Sequence, residues 1–161
     1  MNAAFDRNRL LMMDDETLGK ECIFESFKGS GNGGQKRNKT SSAVRVRHSA
    51  SGLTAEDVAE RSWFRNRSNA LRKLRLKISL LYREPPEPLP RSVCALDHAD
   101  YPLWRALLLD AVEAGDYEPK AAAAFLGMSP SALGKLLFRD KELWEMVNRA
   151  RLARGKNPLK N

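Results

Sequence analysis

Four prolines fall within six positions, Pro85, Pro86, Pro88 and Pro90, in a chain of 161 residues. Proline lacks the amide donor that helices and sheet ladders need, and it drives the residue before it into extended backbone. No regular element runs through such a stretch, so the chain on either side must close its own core. The charge balance changes at the same place. Residues 1–84 carry 17 Lys/Arg against 10 Asp/Glu, whereas residues 85–161 carry 11 against 10. The expected order is a flexible lead-in over 1–19, a basic domain over 20–84 and a stiff proline-rich linker over 85–99. A helical domain over 100–155 and a short basic tail over 156–161 complete it.

Hydrophobic periodicity supplies the elements. Residues 21–27 alternate, with Ile23, Glu25 and Phe27 on one face and Cys22, Phe24 and Ser26 on the other, which predicts a strand. Residues 43–48 alternate again, Val44 and Val46 inward and Arg45 and Arg47 outward. A turn over 49–52 then lets the chain from Leu53 pair back as a third short strand. From 60 to 82 the period becomes helical, with Phe64, Leu71, Leu74, Ile78 and Leu81 in one apolar stripe. Arg65, Arg72, Arg75 and Lys77 lie mostly off that stripe, free to face phosphates. Four further helices are expected over 101–114, 118–126, from a Ser129 cap with Pro130 in the first turn, and over 141–154. The fold class is α+β: a small antiparallel β-sheet packed on a long helix, then a small all-α bundle.

Two blocks contain no acid at all, six cations between Lys28 and Arg47 and eight between Arg61 and Arg83. Solubilising surfaces normally mix both signs, so the pattern implies a polyanion partner, nucleic acid before membrane. Cys22 and Cys94 form no CxxC pair, and His48 and His98 have no ligand spacing, so no metal or other cofactor is expected. No apolar run reaches the ~18 residues of a membrane span. The acid-containing N-terminus is unlike an export signal, and a cytoplasmic monomer is expected.

The densest chemistry sits at Gly29-Ser30-Gly31-Asn32-Gly33-Gly34-Gln35, followed by Lys36-Arg37-Asn38-Lys39-Thr40. The glycines satisfy GxGxxG after a strand, yet a dinucleotide fold needs a helix to open next, and residues 36–42 are short, polar and lead into a strand. The phosphate-loop pattern fails because Gln35 and Lys36 stand where Lys and Ser/Thr are required. A plain flexible turn accounts for the glycines but not for the Gln, Asn, Thr and cations that follow them.

Residues 31–45, Gly-Asn-Gly-Gly-Gln-Lys-Arg-Asn-Lys-Thr-Ser-Ser-Ala-Val-Arg, resemble the Gly-Gly-Gln domain of class I peptide chain release factors. The same domain occurs in shortened relatives that rescue stalled ribosomes. The resemblance continues through His48, Gly52, Glu60-Arg61-Ser62 and Asn66-Arg67, covering roughly residues 20 to 80. It departs at Lys36-Arg37, where the family has His or Asn and then Val, and at Ser62-Trp63, where it commonly has Ser-Gln. What it implies is ribosome-dependent hydrolysis of the peptidyl-tRNA ester, with large-subunit rRNA and peptidyl-tRNA as partners. Gly33, Gly34 and Gln35 are then the expected catalytic positions. Lys28, Lys36, Arg37, Asn38, Lys39, Thr40, Arg45, Arg47, Arg65, Arg67 and Arg72 are the expected RNA contacts. Near the loop the residues offer no Ser/His/Asp, Cys/His or paired-carboxylate arrangement, so water is the expected nucleophile. His48 is expected to be structural.

Release factors carry a large codon-reading domain ahead of this loop, and here the loop falls within the first 35 residues. A codon-independent rescue role is therefore the expectation. The altered Lys36-Arg37 and Ser62-Trp63 suggest the alternative, a ribosome- or RNA-binding factor without hydrolysis. A third reading rests on Ala123, Gly127 and Leu133, which occur at helix-turn-helix offsets. The would-be reading helix offers only Lys135 to bases, so DNA is not an expected partner, and a bundle packed by Trp104, Leu107, Leu108, Phe125, Leu137 and Trp144 is preferred.

Overall fold

The computed structural model describes residues 6–27 and 42–160. The chain divides into two compact units, Met1–Leu81 and Tyr82–Asn161.

The first unit is a three-stranded antiparallel sheet covered by one long helix. Strands β1 (Cys22–Phe27), β2 (Ala43–His48) and β3 (Thr54–Asp57) lie in that order, β2 in the centre. Alternation in β2 buries Val44, Val46 and His48 while Arg45 and Arg47 stay exposed, and β3 adds buried Ala55 and Asp57 to the same face. Helix α3 (Trp63–Leu81) closes this face with Ala70, Leu71, Leu74 and Ile78, all without exposure. The expected stripe is corrected at both ends. Phe64 is 77% exposed and Leu81 62% exposed, because the short sheet covers only the middle turns of the helix.

Residues 7–20, expected as a flexible lead-in with at most one short helical turn around Leu10 to Met13, form two short helices, α1 (Arg7–Met12) and α2 (Asp15–Lys20). Asp6 caps α1 by accepting from the Arg9 amide at 2.8 Å, and Asp14 caps α2 by accepting from the Thr17 amide at 2.7 Å. Such caps satisfy donors that a short helix otherwise leaves open. Leu10, Leu11 and Leu18 are buried, and both helices pack on α3. Arg75 holds them there, its guanidinium reaching Asp15 Oδ1 at 2.6 Å and the Met13 carbonyl at 2.7 Å. The reading of Arg75 as a phosphate contact is therefore corrected: it is buried within the protein.

The second unit is built on α4 (Tyr101–Ala114), an apolar helix buried on nearly every side. Helix α5 (Pro119–Phe125) packs on it, α6 (Pro130–Arg139) on α5 and α7 (Lys141–Ala153) on α6, while Tyr101 and Arg105 of α4 reach Asp140 and Glu142 at the start of α7. The expected stiff linker is held by this unit: Trp104 Nε1 donates to the Arg91 carbonyl at 2.9 Å, and Cys94 is buried. The unit begins before that linker, at Tyr82, and Arg83 donates to the Ala106 carbonyl and Asp110. The tail is likewise held, Lys156 pairing with Asp116 at 2.6 Å and the Leu159 amide donating to Asn148. Helices α5 and α6 meet at 97°, with Gly127 at φ +65° in the turn and Ser129 capping α6. That is the geometry of a helix-turn-helix. Phe125, expected in the core, is 50% exposed, and Trp144 is half-buried. Among the described residues no single helix is long and apolar enough to cross a membrane.

Candidate functional site

Phe27 ends β1, Ala43 begins β2, and the two are register partners in the antiparallel ladder. The glycine-rich stretch thus leaves and rejoins the fold at two adjacent, paired strand ends. Gly33, Gly34 and Gln35, with Lys28, Lys36, Arg37, Asn38, Lys39 and Thr40, lie outside the described residues. What the structure does describe is how their two attachment points are held.

Both are tied to the first turn of α3. Trp63 Nε1 donates to Ser26 Oγ at 2.8 Å, one residue before β1 ends. Asn66 Nδ2 donates to the Ser42 carbonyl at 2.7 Å, one residue before β2 begins. Asn66 has no exposure, and its remaining groups are matched by a single residue: Nδ2 also donates to the Glu60 carbonyl and Oδ1 accepts from the Glu60 amide, each at 2.9 Å. A buried amide with both N–H groups and its oxygen engaged fixes the backbone on either side of it. Sequence reasoning noticed Asn66 as part of a motif and missed its work as a clamp. Trp63 was missed as an anchor because an indole N–H on a helix does not name its acceptor.

At the other end of the sheet His48 is fully buried, with Nδ1 accepting from the Ser51 amide at 3.2 Å and lying 2.9 Å from Ser51 Oγ. It organises the β2–β3 turn, where Gly52 sits at φ +69°. Its burial and partners fit the structural role expected of it.

The expected RNA contacts among the described residues fall into three groups. Arg47 and Arg65 are exposed, Arg65 lying 3.7 Å from Glu60. Arg45 is exposed but already matched, sitting between its strand neighbours Glu25 at 3.6 Å and Glu56 at 2.6 Å. The Glu56 hydrogen bond, then its charge, raises the Arg45 pKa further above its ordinary value. Arg67 lies 4.6 Å over the Phe24 ring, and Arg72 is half-buried.

Neither cysteine is an activated nucleophile. Burial, reinforced by the Glu21 charge, pushes the Cys22 thiol up to about 11, and burial also raises Cys94. A thiol so placed stays protonated at neutral pH. No cluster of metal-ligating side chains occurs among the described residues.

Residues 16–92 match the family model of the RF-1 domain. The chain carries a domain of the class I peptide chain release factor family. It is 40% identical over 74 residues to peptide chain release factor 1 of Thermotoga maritima, covering 46% of this chain and 22% of the relative. Release factor 1 of Salinibacter ruber is 45% identical over 72 residues, covering 45% and 20%. Release factor 2 of Lactiplantibacillus plantarum is 48% identical over 66 residues, covering 41% and 18%. The matched segment spans about a fifth of the length of these relatives. Within the release-factor domain, Trp63 and Asn66 are the side chains that join α3 to the two ends of the glycine segment.

Proposed function

We propose that the protein hydrolyses the ester linking a nascent peptide to tRNA, inside the ribosome and without reading a codon. The observation that carries this reading is the double tether. The segment that contains Gly-Gly-Gln joins the paired strand ends Phe27 and Ala43, and Ser26 and Ser42 beside those ends are both fastened to the first turn of one helix, which gives the segment a fixed base. Catalysis through such a tip needs little chemistry from the protein. Water attacks the ester carbonyl, the acyl C–O bond to the tRNA ribose breaks, and the ribose oxygen leaves as a hydroxyl carrying a proton from that water while the peptide leaves as its acid. The Gln35 backbone N–H donates to the developing negative charge, and the Gln35 carboxamide orders the water. A preorganised donor of this kind is worth about 3 kcal/mol, a hundredfold or more in rate. Gly33 and Gly34 leave space for the backbone to approach the RNA wall, and Lys28, Lys36, Arg37, Asn38, Lys39 and Thr40 hold the segment against phosphates and sugars. Arg47 and Arg65 extend that contact, with Arg45, Arg67 and Arg72 beside them. The proposal places the protein in the cytoplasm.

The test is peptide release from ribosomes stalled on truncated mRNA. Wild type should release, and Gly34→Ala should lose about a hundredfold or more. Equal release by both defeats the reading. The cationic Lys36-Arg37 pair after Gln35 favours a second reading, a ribosome-binding factor without hydrolysis. Salt-sensitive ribosome binding with no release by wild type would select it.

A further inference from the structure

We propose that Phe64, set on Trp63 and flanked by Arg61 and Arg65, is a stacking site for an unpaired RNA base. Phe64 is the most exposed large apolar side chain among the described residues, at 77%. It does not hang free. Its ring meets the Trp63 ring edge to face, with centroids 5.3 Å apart and planes at 89°. Trp63 is in turn fixed by its bond to Ser26 and by a second edge-to-face contact with Phe24 at 6.5 Å. An edge-to-face contact covers at most one face of the phenyl ring, so a flat surface stays open to solvent. The open ring is held in place before any ligand arrives, which lowers the ordering cost of binding.

The charge around it decides which flat ligand fits. Arg61 is exposed, with no acidic partner among the described residues, and the Arg65 side chain is 75% exposed. Both belong to the acid-free run from Arg61 to Arg83. A purely apolar partner would bury the Arg61 guanidinium without compensation and leave Arg65 only its Glu60 neighbour at 3.7 Å, whereas a nucleotide offers a π-face to the ring and phosphates to the arginines. Bases in duplexes hide their faces, so the occupant is single-stranded or looped out.

This inference rests on the reading of an RNA partner but not on hydrolysis, and it is tested without it. The probe is a fluorescently labelled oligo(A) RNA of about eight nucleotides, within the site sizes of single-strand binders. It is titrated with the full chain at low salt and followed by anisotropy, with an RNA duplex of equal length as control. Phe64→Ala and Phe64→Leu should each weaken oligo(A) binding by about tenfold, and Phe64→Tyr by no more than about twofold. Duplex binding should be unchanged in all three. Thermal unfolding should match wild type, since the side chain is exposed. The same order of affinities is expected for purified large ribosomal subunits.

If Phe64→Leu binds oligo(A) as well as wild type, stacking is excluded. If Phe64→Leu keeps large-subunit binding that Phe64→Ala loses, the site fits a groove on a protein and the proposal fails. A wild type that stacks but releases no peptide leaves this site standing and removes the hydrolytic function. A wild type that releases peptide while all Phe64 variants bind normally does the reverse.

Discussion

Asn66 shows how one buried side chain can decide the geometry of a site it does not enter. Its amide bonds the Ser42 carbonyl and both backbone groups of Glu60, so Asn66→Ala strands three polar groups at once. Each buried unsatisfied group costs about 1–3 kcal/mol. The variant should lose at least about 2 kcal/mol in urea unfolding, and its peptide release should fall more than its stability alone explains. Release that falls only in step with the unfolded fraction would remove the clamp role. Gly52, at φ +69° in the β2–β3 turn, makes a smaller case. A Cβ there meets no atom within 4 Å, so the cost of Gly52→Ala is backbone strain alone, about 1–2 kcal/mol. Asp57 carries a pH dependence. Burial works against its charge, yet Lys73 at 2.6 Å, the Ala59 amide and Asn69 outweigh it and hold its carboxyl below the ordinary value. A depressed folded pKa contributes stability above the unfolded value of about 3.9, lost as pH falls through the folded one. Lys73→Met should therefore lower stability at pH 7 and flatten its decline below about pH 4, as measured by urea unfolding at both pH values.

At the scale of elements, helix α3 does three things along its length. Its middle turns close the sheet, its first turn holds the glycine segment, and Arg75 fastens α1 and α2 through Asp15 and Met13. Arg75→Met keeps the apolar stem but leaves the Met13 carbonyl and Asp15 without their partner. About 2 kcal/mol should be lost, with hydrogen exchange rising first over residues 7–20. Exchange rising evenly across the first unit would show that these helices do not depend on Arg75. The period of α3 is legible in the sequence because its 19 residues repeat the apolar stripe over several turns, although its exposed ends are not. Helices of six residues such as α1 and α2 give too few repeats to show a period. Their signal lies in the caps Asp6 and Asp14, which in the sequence look like ordinary surface acids.

Across the whole molecule the charge is uneven, and that unevenness predicts where a polyanion acts. Residues 1–84 exceed neutrality by seven positive charges and residues 85–161 by one. Charge reversal at Arg47 and Arg65 should therefore weaken ribosome binding and make it less sensitive to salt. The slope of log affinity against log salt should fall by about 0.7 to 0.9 for each phosphate no longer neutralised. Reversal at Lys120 and Lys135 should change that slope little. Equal effects from both pairs would assign polyanion binding to the helical unit instead. Composition, periodicity and the Gly-Gly-Gln segment determined the strands, the long helix, the helical second half and the kind of chemistry to expect, because these are local patterns carried by neighbouring residues. Only the tertiary structure decided that Arg75 is spent inside the protein, that Arg45 is matched across two strands, and that Trp63 and Asn66 hold the ends of the glycine segment. Those facts depend on which distant residue lies within hydrogen-bonding reach, and spacing along the chain does not record that.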